Sequence, residues 1–104
     1  MEKFSIVTGG ASGLGFEFVK LLLIDKYNVV IIDNEKKELN NIKSKIDLKH
    51  NRKIILMHKD LSNPDSSIEI FKELKNKNIE VLINNAGFGL FGKFKDTNWK
   101  IERN

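Results

Sequence analysis

Hydrophobic and polar positions along this chain alternate in two distinct ways. Short apolar runs at 4–7, 28–32, 54–57 and 81–83 have the length of strands and are nearly unbroken. Between them lie longer segments whose apolar residues recur every three or four positions, the spacing of one helix face. The spacing predicts a helix over 14–25 with Leu14, Phe18, Leu21 and Leu22 inward. It predicts a second over 35–49 with Leu39, Ile42 and Ile46 inward, and a third over 64–76 with Ile68, Phe71 and Leu74 inward. Pro64, the only proline, falls in the first turn of the third helix, where a missing amide hydrogen costs little. After 83 come a glycine-rich stretch and a further helical start near Thr97.

Strands apolar on both faces belong in a parallel sheet with helices packed on each side. Regular alternation of strand and helix predicts an open α/β sheet with right-handed crossovers. In such a sheet the ligand lies beyond the carboxyl ends of the strands. The conspicuous polar features all fall there. Thr8 to Gly15 follows the first strand, Asp33 the second, Asp60 the third and Asn84-Asn85 the fourth.

The stretch Thr8-Gly9-Gly10-Ala11-Ser12-Gly13-Leu14-Gly15 joins a strand to a helix. Glycines there let the backbone approach an anion, and the first helical amides point at it with the positive end of the helix dipole. The spacing is Gly9-x-x-x-Gly13-x-Gly15, different from the commonest dinucleotide fingerprint. No Lys-Ser or Lys-Thr pair follows, so it is not a P-loop.

Asp33 ends the second strand, where a carboxylate accepts hydrogen bonds from adenosine ribose hydroxyls and repels a 2′-phosphate. The alternative is a cap for the following helix, a role that Asn34 can also fill. Neither position 12 nor position 34 carries a lysine or arginine, which favours NAD over NADP as cofactor, with Lys36 and Lys37 near enough to keep NADP possible. Asp60, followed by Leu61, either meets an adenine ring or caps the turn toward Pro64. Asn84-Asn85-Ala86-Gly87 suits a place where backbone and cofactor come close, or is a turn. The stretch Phe88 to Phe94 lines an apolar pocket or makes a contact. His50, His58 and Tyr27 are read as structural or surface residues, since none has a plausible partner in sequence.

Composition narrows the classes without changing this picture. The chain has 104 residues, 40% apolar and 31% charged, which suits one small globular domain. There are no cysteines, which excludes disulfides and thiolate metal sites and suits a reducing cytoplasm. No motif for a metal site is visible, no apolar run reaches membrane-helix length, and no leader is expected before the first strand. The net charge of +4 comes from scattered lysines with only two arginines, Arg52 and Arg103, so nucleic acid is not expected as a partner.

Taken together, Thr8-Gly9-x-x-x-Gly13-x-Gly15, Asp33, Asp60-Leu61 and Asn84-Asn85-Ala86-Gly87 resemble the N-terminal half of a short-chain dehydrogenase/reductase. The resemblance implies a Rossmann-type parallel sheet of order 3-2-1-4, forming a single, incomplete NAD(P)-binding domain over 1–104. It implies that Ser12, Gly13, Leu14 and Gly15 hold the pyrophosphate, Asp33 the ribose, Asp60 and Leu61 the adenine, and Asn85, Ala86 and Gly87 the nicotinamide side. It also implies alcohol–carbonyl hydride transfer on a small-molecule substrate. The family's catalytic asparagine, serine and Tyr-x-x-x-Lys pair have no match here, and Asn104 comes too early to serve. The chain is therefore expected to be a truncated member whose catalytic residues lie beyond 104. Its fourth strand is expected to be a bare edge that pairs with another chain, giving a homo-oligomer. The rival expectation is a non-catalytic nucleotide-binding or interaction module.

Overall fold

The computed structural model describes residues 2–46, 51–85 and the backbone of 100–103. It contains β1 (Lys3–Thr8), α1 (Gly13–Ile24), β2 (Asn28–Asp33), α2 (Lys36–Lys45), β3 (Ile54–His58), α3 (Pro64–Leu74), β4 (Asn78–Asn84) and β5 (Lys100–Arg103). The five strands form one parallel sheet of order β3-β2-β1-β4-β5. The expected 3-2-1-4 order is therefore present, with one more strand beside it.

Two apolar layers cover the sheet, one on each face. Val7, Val29, Ile31, Val81 and Ile83 pack with Val19, Leu22 and Leu23 of α1 and with Leu39 and Ile42 of α2. Phe4, Ile6, Val30, Ile32, Ile79 and Leu82 pack on the other face with Ile70 and Leu74 of α3. Successive strand residues point to opposite faces, so a strand covered on both sides must be apolar at nearly every position. All six residues of β2 are buried, as that rule requires.

Two predicted helix faces are corrected in part, since Phe18 and Leu22 of α1 and Phe71 and Leu74 of α3 do pack on the core as expected. On α1 the inward residues are Gly15, Val19, Leu22 and Leu23, while Leu14 and Leu21 are 56% and 61% exposed. The helix is apolar nearly all round, so periodicity could not set its rotation. The contact of Gly15 with the loop sets it instead. On α3 the buried line is Ser66, Ile70 and Leu74, with Ile68 exposed. Residues 68 and 74 are not a helical repeat apart and cannot share one face, whereas positions four apart can. Leu39 and Ile42 of α2 are buried as expected; Ile46 is buried too, but the helix, expected to run on to 49, ends at Lys45 and Ile46 is extended.

The chain end is also corrected. Lys100–Arg103 runs as a strand parallel to β4, with Val81 opposite Lys100 and Asn84 opposite Arg103. A helix was expected from about Thr97, and β4 was expected to be a bare edge. The backbone of these four residues instead completes the ladder of β4, which an unpaired strand edge favours. Ala86, Gly87, His50, the stretch 88–94, Thr97 itself and Asn104 lie outside the described residues.

Candidate functional site

The sheet reverses its direction of growth at β1, which has β2 on one side and β4 on the other. Thr8, the last residue of β1, lies opposite both Ile32 and Asn84. The loop that follows is therefore enclosed by the carboxyl ends of three strands, the crevice position of open α/β sheets.

Backbone and side-chain bonds hold that loop. The Gly9 amide donates to the Ile32 carbonyl at 2.7 Å, tying the loop to β2. From β4, the Asn85 side-chain amide donates to the Gly9 carbonyl at 3.2 Å. The Thr8 hydroxyl donates to the Asn84 side-chain oxygen at 3.0 Å. Gly13 has φ +58°, in the left-handed region that costs other residues free energy, and from there the chain enters α1. At Gly15 a Cβ would lie 2.0 Å from the Gly9 carbonyl oxygen and 2.8 Å from the Asn85 amide nitrogen. No side chain fits there. The first turn of α1 is pressed onto the loop because position 15 is glycine.

The N-terminus of α1 is left open. Ser12 is its N-cap residue, is exposed, and makes no side-chain capping bond. In α3 the equivalent Asn63 side chain accepts from the Asp65 amide at 3.0 Å. The first amides of any helix have no partner inside it. In α1 they follow the glycine loop, beside exposed Gly13 and Leu14, and a helix N-terminus in that place suits an anion.

Asp33 is buried and faces this loop. One carboxylate oxygen accepts from the Ala11 amide at 3.1 Å, the other from the Glu35 amide at 3.0 Å. The two readings of Asp33 were ribose acceptor and helix cap, and the carboxylate does brace the start of α2, although Glu35 is the N-cap residue. The bond to Ala11 was not foreseen. It makes the loop and the carboxylate one unit. A carboxylate has about four acceptor sites, so two such bonds leave capacity for ribose hydroxyls.

The other predicted residues are more dispersed. Asp60 follows β3, on the far side of β2 from the loop. Its carboxylate accepts from the Ser62 hydroxyl at 2.6 Å and the Ser62 amide at 3.0 Å. The hydroxyl bond first, then the amide bond, hold Asp60 below the usual carboxylate range. This is the turn-capping geometry. Leu61 is half-buried against the α3-side core. Lys59, just before, is held above the usual lysine range by its bond to Glu69 at 2.6 Å, with Glu73 at 3.7 Å adding to it. The structure thus brings together Gly9, Ser12 to Gly15, Asp33 and Asn85, whereas Asp60 and Leu61 follow the edge strand β3. The sequence reads His58 as a structural or surface residue. It is the register partner of Asp33, and its Nε2 lies 3.1 Å from the Asn34 carbonyl oxygen. Counting along two in-register parallel strands is the signal that finds it. Among the described residues no helix is long and apolar enough to cross a membrane, and no cluster of three metal-ligating side chains occurs.

A parallel sheet with a glycine-rich turn at its switch point, an open helix N-terminus and an acid ending the next strand is a Rossmann-like α/β arrangement. The sequence model of the short chain dehydrogenase family matches residues 3–102, and the chain belongs to that family. An uncharacterized oxidoreductase of Schizosaccharomyces pombe is 32% identical over 95 residues, covering 89% of this chain and 30% of that protein. The bulky-bulky ketone specific alcohol dehydrogenase from Comamonas testosteroni superposes with a TM-score of 0.72 at 26% identity, over 93% of this chain and 40% of its own. L-sorbose reductase from Gluconobacter frateurii, solved with NADPH and L-sorbose, shares the fold with a TM-score of 0.74 at 19% identity, over 85% of this chain and 34% of that one. The chain spans about a third of the length of the relatives it matches. Members of the family bind nicotinamide dinucleotides.

Proposed function

We propose that this chain supplies the dinucleotide-binding half of an alcohol–carbonyl oxidoreductase that uses NAD in preference to NADP. The observation that carries the reading is the joined unit of glycine loop, open helix end and Asp33. The amides at the start of α1 receive the pyrophosphate, with Gly15 keeping the helix close enough for them to reach. Asp33, fixed by the Ala11 and Glu35 amides, accepts from the adenosine ribose hydroxyls and repels a 2′-phosphate. Asn85 holds the Gly9 carbonyl and, with Ala86 and Gly87, borders the ribose on the nicotinamide side. Asp60 and Leu61 border the adenine. When bound, the nicotinamide supplies the hydride acceptor or donor. The substrate is proposed to be a small alcohol or carbonyl compound. The proton-transferring group is proposed to lie outside these 104 residues.

Calorimetric titration with NAD and NADP tests the reading. NAD is expected to bind more tightly than NADP, and Asp33→Ala to weaken NAD about tenfold while narrowing the difference, the scale of a charge-assisted hydrogen bond. Equal affinities in the unaltered protein would remove Asp33 from the ribose site. A protein that binds neither nucleotide would overturn the proposal as a whole.

A further inference from the structure

Asp33 is engaged before any ligand arrives. Its carboxylate is buried, and each oxygen accepts one backbone amide, Ala11 at 3.1 Å and Glu35 at 3.0 Å. The Glu35 bond is local and braces the start of α2. The Ala11 bond reaches back across 22 residues to the glycine turn.

The turn has few other supports past its first residue. Gly9 is held by its amide on the Ile32 carbonyl and by the Asn85 side chain on its own carbonyl. Ser12 is extended, with φ −156° and ψ 168°, and its side chain makes no capping bond. Gly13 is left-handed at φ +58°, and a Cβ there would meet none of the described residues within 4 Å. Packing and side chains therefore do little to fix positions 12 and 13. The anchor just before them is the fully buried Ala11, through its amide on Asp33. The anchor just after them is Gly15, pressed against the Gly9 carbonyl. The first free amides of α1 hang between these two supports.

Charge alone would give Asp33 the opposite effect. A carboxylate bonded to the turn repels an anion seated there. An acid that serves only ribose hydroxyls thus weakens the grip on pyrophosphate, whereas an acid that holds the turn strengthens it. Repulsion needs the charge, but the bond to Ala11 needs only an acceptor oxygen. Substitution separates the two.

We infer that Asp33 is also a positioning residue for the anion: through the Ala11 amide it sets the turn from which the first amides of α1 project. One acid then serves the ribose directly and the pyrophosphate through the backbone. The inference rests on the reading of the α1 N-terminus as the pyrophosphate site.

Inorganic pyrophosphate is the probe, because it has no ribose for Asp33 to bind. The amide chemical shifts of Gly13, Leu14 and Gly15 are followed during its titration, at fixed pH and ionic strength. The unaltered protein, Asp33→Ala, Asp33→Asn and Asp33→Glu are compared, and the same spectra show whether each is folded. Pyrophosphate is expected to move these amides in the unaltered protein. Asp33→Ala is expected to bind it about fivefold more weakly, the scale of one hydrogen bond, although a negative charge has gone. Asp33→Asn keeps an acceptor for Ala11 without the charge, and is expected to bind at least as tightly as the unaltered protein. A folded Asp33→Ala that binds pyrophosphate as tightly as the unaltered protein, or more so, would overturn the positioning role and leave the ribose assignment standing. So would an Asp33→Asn that binds it more weakly. Where Asp33→Ala does not fold, Asp33→Glu decides. It keeps the charge and carries the oxygens one methylene further, so weaker binding supports the role and unchanged binding ends it. Pyrophosphate that leaves these amides unmoved in the unaltered protein would also overturn the inference. If NAD fails to bind as well, the reading beneath it falls too.

Discussion

Gly15 shows how a single missing side chain sets the geometry around it. Its hydrogen lies where a Cβ would collide with the Gly9 carbonyl and crowd the Asn85 amide. Glycine in a helix costs about 1 kcal/mol relative to alanine, yet here alanine has nowhere to go. Gly15→Ala is therefore expected to destabilise the fold by about 2 kcal/mol or more, because the helix must lift from the loop. Urea unfolding checks this, and a change under about 0.5 kcal/mol would show that the loop yields. Asp33 is the counterpart on β2. Sequence reasoning offered ribose acceptor or helix cap as alternatives, but one carboxylate braces the loop through Ala11 and the start of α2 through Glu35. Asp33→Ala is expected to lower stability by about 1–3 kcal/mol, since two amides lose their acceptor. Asp33→Asn, which keeps one acceptor oxygen, is expected to recover part of that loss in the same unfolding measurement.

The elements themselves were largely legible, but the rotation of two of them was not. Existence and order of the strands follow from unbroken apolar runs, which only a doubly covered parallel sheet accommodates. α1 is a different case. Leu14, Phe16, Phe18, Val19, Leu21, Leu22, Leu23 and Ile24 leave almost no polar face to point outward. The helix turns Leu21 and Ile24 to the outside, with Glu17 and Lys20 paired at 2.6 Å on that exposed side. Leu21→Gln is therefore expected to change stability by less than about 0.5 kcal/mol. Leu22→Ala is expected to cost about 2–5 kcal/mol. A thermal or urea midpoint series separates the two, and equal large costs would restore the face predicted from spacing, which turns both residues inward. In α3 Pro64 marks the start as the sequence suggests and the Asn63 side chain caps it, while the ion pairs from Lys59 to Glu69 and Glu73 accompany the buried Ser66–Ile70–Leu74 line.

At the scale of the molecule, the sheet is uneven in its protection. β2 and β1 lie within it, bordered by strands on both sides and covered by helices on both faces. β3 is an edge, with only Met57 fully buried. Amide hydrogen exchange is expected to be slowest in β1, β2 and β4 and markedly faster in β3, because edge strands open with less lost contact. Equal protection across all four strands would mean that β3 opens only with the whole sheet. The candidate site spans this gradient. Its glycine-loop end rests on the central strands, whereas Asp60, Leu61 and His58 sit at the edge.

By itself the sequence determined the strand–helix alternation, the covered parallel sheet and the gathering of polar residues at the strands' carboxyl ends. These are consequences of local spacing and of the rule that both faces of such a sheet are buried. Glycine and acid positions stood out for the same reason, since loop chemistry is local. Tertiary contacts alone set which face of α1 turns inward, that Asp33 bonds the Ala11 amide, that β5 lies along β4, and that His58 is the register partner of Asp33. Each of these depends on the register and rotation of elements distant in the chain, and no periodicity within one segment encodes how it meets another.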